Sequence, residues 1–159
     1  MRPLRREDIG EACTLLNNII VRGGTTAHQV AFDEAGFAEA FLEGPWCVAC
    51  HVALDNDTRV AGFQSIETSE RLPDDCADIA SFARLVPKLR GVGRALFPVT
   101  CQVARDAGYK WLNATIRADN VEGLRYYTAM GFKDHSVLRD VPLADGQKVD
   151  RISKRFALV

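Results

Sequence analysis

No stretch of this 159-residue chain approaches the roughly 20 consecutive apolar residues that span a bilayer, so no membrane-spanning helix is expected. Neither sign of charge is in excess. Twenty Lys and Arg stand against 21 Asp and Glu, which argues against a protein that lives on nucleic acid or on anionic membrane. The opening MRPLRREDIG has charge but no apolar core after it, so a signal peptide is not expected and the chain reads as cytoplasmic. Cysteines are few and odd in number (Cys13, Cys47, Cys50, Cys76, Cys101), which argues against a disulfide framework and for thiols packed as small hydrophobes. Cys47-Val48-Ala49-Cys50-His51 has the CxxCH spacing of haem attachment, but it lies inside a strand-like run, WCVACHVAL, and no haem is expected. A zinc site would want four ligands, and without a second CxxC or an HxxxH pair no metal is expected either. Repeats, low-complexity tracts and linkers are also missing.

What is present is ordinary soluble-domain usage in a length that suits one core, so residues 1–159 are read as a single domain. Met1–Leu4 can open as a strand. Ile9, Ala12, Cys13, Leu16 and Ile20 then recur at helical spacing until Gly23-Gly24 end the helix. Asp33 is placed to cap a second short helix burying Phe37, Phe41 and Leu42. Trp46–Leu54 and Arg59–Thr68 are β-rich and joined by Asp55-Asn56-Asp57, a hairpin turn. Asp78–Leu85 reads as another strand. Gly91–Asp106 reads as a helix with Val92, Leu96, Val99 and Val103 inward and a kink expected at Pro98. Lys110–Ile116 is a strand, Asn120–Met130 a helix, and Phe132–Leu138 and Lys148–Leu158 are final strands about Asp145-Gly146. The order βααβββαβαββ is mixed α/β (α+β).

The most informative segment is Lys88-Leu89-Arg90-Gly91-Val92-Gly93-Arg94-Ala95-Leu96, between a strand and a helix. Two glycines one residue apart let backbone approach a ligand and turn successive amides into one concavity. The helix adds its positive end there, and Lys88, Arg90 and Arg94 add charge, together a pyrophosphate cradle. It is no P-loop, because no GK[ST] follows, and Leu96 replaces the third glycine of a Rossmann fingerprint. A plain glycine-rich turn before a helix remains the blander reading of these residues.

A second spacing follows: Asn120, then Tyr127 seven residues on, then Gly131-Phe132. With KLRGVGRAL, this pattern resembles the GCN5-related N-acetyltransferase superfamily, most closely its phosphinothricin and amino-acid branch, over nearly the whole chain. The resemblance implies a mixed central sheet flanked by helices on both faces and acetyl-CoA as co-substrate. Lys88 stands where the family has Gln or Arg, keeping a donor but losing the fork geometry.

The resemblance assigns roles residue by residue. The strand Ser81-Phe82-Ala83 would offer backbone groups to the pantetheine arm, and Leu89 to Ala95 would wrap the phosphates. Asn120 would bind the arm or cap its helix. Tyr127 matches the general acid that protonates the departing thiolate, with packing beside Tyr126 as the plainer alternative. Asp78 matches an acidic position of the branch and is the first candidate for the base that deprotonates the amine, with Glu67 second and a solvated strand-end acid as the alternative. Thr115, where some members carry Glu, cannot serve. His28 would border the acceptor pocket, with a plain surface-loop histidine as the alternative. The expected activity is acetyl transfer to the primary amine of a small molecule by direct attack; a protein N-terminal or lysine acetyltransferase and a non-catalytic acyl-CoA sensor are the alternatives. Many such enzymes are dimers, and nothing in the residues decides that here. Charge is also segregated. Ile79–Arg105 holds Arg84, Lys88, Arg90, Arg94 and Arg105 and no acid, while Glu67, Glu70, Asp74, Asp75 and Asp78 crowd the segment before it.

Overall fold

The computed structural model describes residues 1–159. Its elements in chain order are β1 (Arg2–Pro3), α1 (Ile9–Arg22), α2 (Glu34–Ala38), β2 (Cys47–Leu54), β3 (Val60–Glu67) and β4 (Cys76–Ala83). They continue with α3 (Val92–Asp106), β5 (Trp111–Arg117), α4 (Val121–Met130), β6 (Lys133–Pro142) and β7 (Lys148–Ala157). One seven-stranded sheet has the order β1-β2-β3-β4-β5-β7-β6. Every neighbouring pair is antiparallel except β4 and β5, which run parallel.

Strand alternation divides the interior into two layers. On one face Cys50, Val52, Phe63 and Phe82 pack against α1, α2 and the turn that follows α2, through Leu16, Ile19, Phe37 and Phe41. On the other, Ile66, Ala77, Ile79, Leu112, Ala114 and Ile116 pack against α3 and α4 through Phe97, Cys101, Ala104 and Tyr127. Val92 and Leu96 extend that second layer over Ala53 and Ala61. No helix is long and apolar enough to cross a membrane.

Short polar contacts set the ends of the elements on the first face. The Asp8 carboxylate accepts two hydrogen bonds from Arg2, at 2.6 and 2.9 Å, and one from the Arg5 amide at 2.8 Å, which ties β1 to the start of α1. Gly23, at φ +74°, ends α1 in a conformation L side chains avoid. Asp33 caps α2 by accepting from the Gly36 amide at 2.7 Å. A wider turn, Glu39–Glu43, continues α2 and closes with Gly44 N–H on the Glu39 carbonyl at 2.8 Å. Asn17, inside α1, donates to the Phe32 carbonyl at 2.8 Å and accepts from the Phe32 amide at 2.9 Å, pinning the α1–α2 connection to the helix.

Three expectations shift. Strand β4 begins at Cys76 and ends at Ala83, two residues earlier than Asp78–Leu85, because Cys76 and Ala77 pair with Trp111 and Leu112. In α1 Ile9, Ala12, Cys13 and Leu16 are buried as expected, but Leu15 and Ile19 join them and Ile20 is only half-buried. Helix α3 turns Phe97, Thr100, Cys101 and Ala104 inward, while Val99 and Val103 are half-buried at the margin. It runs through Pro98, which lies on its exposed side.

The aromatic cluster of Phe32, Phe37, Phe41, Phe63 and Phe82 holds the first layer together. Phe37 is fully buried, its ring 4.7 Å from that of Phe41 and 5.4 Å from that of Phe63. Phe37→Ala should lower the unfolding free energy by about 3–5 kcal/mol. The check is a lower urea midpoint at unchanged slope.

Candidate active site

The site begins where the parallel pair separates. Strands β4 and β5 share only Cys76↔Trp111, Ala77↔Leu112 and Asp78↔Asn113. Beyond that, β4 stays with β3 as far as Ala83↔Gly62, and β5 stays with β7 as far as Arg117↔Arg151. A wedge opens between Ile79–Ala83 and Ala114–Arg117, with Asp78 and Asn113 at its apex. The Arg84 amide donates to the Ala61 carbonyl at 2.9 Å. By ladder alternation, Ala80 and Phe82 address β3, so the Ile79 carbonyl and the amides and carbonyls of Ser81 and Ala83 face the wedge, while the Ile79 amide belongs to the Asp78↔Asn113 bridge. Phe82, expected among the ligand-binding residues, thus commits its backbone to β3 and its ring to the aromatic cluster.

At the wide end of the wedge lies the glycine segment. None of the amides from Lys88 through Arg94 donates to a backbone carbonyl; the Ala95 amide, expected with them, closes the first helical bond on Gly91 at 2.9 Å. Gly91 takes φ +80° with open space where a Cβ would be. Gly93 has a different reason. A Cβ there would lie 2.8–2.9 Å from the ring and hydroxyl of Tyr126, whose hydroxyl donates to the Gly93 carbonyl at 2.8 Å. Val92 is buried and anchors the turn, while Lys88, Leu89, Arg90 and Arg94 are exposed around it. Lys88 is 3.9 Å from Glu122 at the start of α4. Two of the five expected basic residues belong elsewhere. Arg84 pairs with Asp55 at 3.0 Å and donates to the carbonyls of Val60 and Pro87, and Arg105 donates to that of Leu158.

Helix α4 supplies the phenols. Asn120 caps it, accepting from the Gly123 amide at 3.0 Å, and its Nδ2 donates to the Thr25 carbonyl at 2.9 Å. Its side chain is therefore committed on both ends, to the helix and to the loop after α1. Tyr127 is buried against Phe132, and its hydroxyl is 2.9 Å from Ser81 Oγ, beside the wedge-facing stretch of β4. Burial drives its pKa above the ordinary phenol value, and the Ser81 hydrogen bond opposes the rise.

Asp78 lies on the opposite face of the sheet, since it and Ser81 are three residues apart on one strand. Burial raises its pKa; hydrogen bonding from Asn113 Nδ2 at 2.9 Å and the charge of Arg155 work against the rise. Asn113 cannot turn its amide round, because Oδ1 already accepts from Arg155 Nε at 2.8 Å and from Ser153. Glu67 sits directly across from Asp78 on β3, and burial, then the Asp78 charge, lift its pKa as well. His28 packs on Phe32, Phe41 and Phe82, and burial lowers its pKa. It lines a cavity of about 300 Å³ with Ile20, Thr26, Gln29, Arg117 and the β6–β7 turn at Leu143–Asp145.

No family model matches the chain, and no curated protein does. Solved structures match over nearly its whole length. The yncA protein of Salmonella typhimurium, solved with its cofactor acetyl-CoA, is 18% identical over 99% of this chain and 92% of its own, with a TM-score of 0.83. A phosphinothricin acetyltransferase of the GNAT superfamily from Sinorhizobium meliloti, in complex with acetyl-CoA, is 16% identical over 98% and 86%, TM-score 0.85. A ribosomal-protein-alanine N-acetyltransferase from Brucella melitensis is 17% identical over 98% of each chain, TM-score 0.85. The chain has the fold of these N-acetyltransferases, a mixed sheet with helices on both faces.

Two expected outcomes follow from this geometry. Gly93→Ala should destabilise by about 1–3 kcal/mol through overpacking on Tyr126; in a Tyr126→Ala background the same change should cost little, as paired melting curves would record. The folded chain also holds the Asp78 proton more tightly than the unfolded chain, so this group's penalty is absent in acid and grows as pH rises through its elevated pKa. Asp78→Asn should therefore raise Tm at neutral pH, and the gain should fade toward about pH 3, below the ordinary carboxylate range.

Proposed function

We propose that this chain is an acetyl-CoA-dependent N-acetyltransferase that acts on the primary amine of a small molecule. The observation that carries the reading is the continuity of unpaired backbone, from the Ile79 carbonyl and the wedge-facing groups of Ser81 and Ala83 to the unbonded amides of Lys88–Arg94. An extended arm with amides can add to such an edge as a strand would. A pyrophosphate matches the amide concavity and the α3 N-terminus, with Lys88, Arg90 and Arg94 around it. Acetyl-CoA has both parts and would supply a thioester, activated for attack by an amine.

The chain's own residues then divide the proton work. Wedge-facing amides of β4 stabilise negative charge on the carbonyl oxygen. Asp78, on the α1/α2 face, takes the proton of the attacking amine. Tyr127, on the α3/α4 face, gives its proton to the departing sulfur. Acid and base thus act from opposite sides of the sheet, each beside the wedge. The acceptor reaches it through the cavity beneath His28 and the β6–β7 turn, whose volume of about 300 Å³ suits a small molecule.

The test is release of free thiol from acetyl-CoA in the presence of a panel of small amines, with acetylated products identified by mass spectrometry. Turnover on small amines is expected. Turnover confined to peptide α-amines or lysines would make it a protein acetyltransferase, and tight acetyl-CoA binding without turnover would make it a sensor. Tyr127→Phe should lower kcat by about 100-fold or more while acetyl-CoA binding persists. Unchanged kcat would remove Tyr127 from the reaction.

A further inference from the structure

Between the glycine segment and Tyr127 runs a chain of side-chain hydrogen bonds on the α3/α4 face of the sheet. Tyr126 Oη donates to the Gly93 carbonyl at 2.8 Å, Gln64 Nε2 lies 3.0 Å from Tyr126 Oη and 2.8 Å from Ser81 Oγ, and Ser81 Oγ lies 2.9 Å from Tyr127 Oη. The directions can be assigned by counting protons. A carbonyl only accepts, so the single hydroxyl proton of Tyr126 goes to Gly93. Tyr126 Oη must then accept from Gln64, which fixes the NH2 end of that amide toward it. The second N–H of the same group donates to Ser81. Ser81 is left with a free proton and a free lone pair, and both can serve only Tyr127 among its partners here.

Gln64 carries a cost for this. It is 1% exposed, and its Oε1 is buried without a hydrogen-bond partner. An apolar side chain of similar size would fill the same space in β3 with no orphaned acceptor. A polar group kept at such a cost, one hydrogen bond from a site residue, points to function rather than packing.

We propose that Gln64 and Ser81 are positioning residues for Tyr127, making its proton available to the departing sulfur and stabilising the oxygen it leaves behind. The inference rests on the acetyltransferase reading. Before transfer, Tyr127 can donate to the second lone pair of Ser81. During transfer the phenol O–H bond breaks and an S–H bond forms, leaving the electron pair of the broken bond on the phenol oxygen. The Ser81 hydroxyl turns to donate to that oxygen without giving up its proton, held in place by the N–H of Gln64. Water returns a proton to Tyr127 after the products leave. The device answers a specific difficulty, because burial alone makes Tyr127 a reluctant acid. Tyr126 links it to the glycine segment, so the acid is held by the same turn that would hold the phosphates.

The test is a double-mutant cycle on thiol release. Ser81→Ala should lower kcat about 10- to 100-fold, the worth of a hydrogen bond to a developing charge, with KM for acetyl-CoA within about twofold. Ser81→Thr, which keeps the hydroxyl, should restore most of the loss. In a Tyr127→Phe background, Ser81→Ala should change kcat less than about twofold, because the residue acts through Tyr127. Gln64→Leu should lower kcat without lowering Tm, which a merely structural glutamine would not do. Equal losses from Ser81→Ala with and without the phenol, or unchanged kcat in both serine and glutamine variants, would overturn the proposal alone. A wild-type protein that binds acetyl-CoA but releases no thiol with any amine would overturn the acetyltransferase reading, and the positioning role with it.

Discussion

Two parallel strands that pair over three residues and then part company govern the rest of this molecule. Asp78↔Asn113 is the last shared register position of β4 and β5. Past it, each strand is held on its outer side only, by β3 or by β7. A row of backbone donors and acceptors is left without partners inside a sheet, where the usual remedy is another strand. On the proposed reading the sheet itself supplies the surface for the extended arm, and the side chains above and below are left for the chemistry. Placing α3 directly after β4 brings its unbonded N-terminal amides to the open end of the same gap.

The strand period of two then distributes the chemistry. Positions 78 and 81 fall on opposite faces, so one strand presents a carboxylate to the α1/α2 side and a hydroxyl to the α3/α4 side. Each is backed by an amide side chain with a fixed orientation. Asn113 is locked by Arg155 and Ser153, and Gln64 by the single proton of Tyr126. Burial unsettles both titrating groups in the same direction, keeping Asp78 and Tyr127 more readily protonated than they would be in water. A buried carboxylate and an orphaned amide oxygen cost the fold stability, the usual mark of a site whose geometry is set by something other than packing.

Much of this was legible in the sequence, for physical reasons that differ by element. The β2–β3 hairpin follows from its Asp55-Asn56-Asp57 turn, and the caps Asp33 and Asn120 follow from local hydrogen bonding. Gly91 and Gly93 were visible because backbone conformation and close approach both demand glycine. The inward face of α3 was harder to read. Hydropathy favoured Val99 and Val103, but the helix lies with Thr100, Cys101 and Ala104 against the sheet, where small side chains allow close packing. Local signals also carried no register, so the first residues of β4 were missed. Gln64 was missed for a related reason. It stands beside Ser65 in the buried and otherwise apolar run Val60–Ile66, and that amide inside a buried run was the only available signal. Its partners come from positions 17 and 62 residues away and meet it only after the sheet and α4 assemble.

Asn120 reaches across from α4 to the loop after α1, and what it grips there is the main-chain carbonyl of Thr25. Every residue type offers that group in that place. Asn17 likewise holds the amide and carbonyl of Phe32 rather than its ring. The segment that roofs the cavity is thus held at both ends through main-chain atoms, while side chains hold its middle, His28 on the aromatic cluster and Gln29 Oε1 on the Ala144 amide at 2.6 Å. Such an anchorage fixes the ends of the loop whatever residues they carry, while at Thr26, His28 and Gln29 the residues that line the cavity are also the ones that seat the loop, so a change of lining there is also a change of docking.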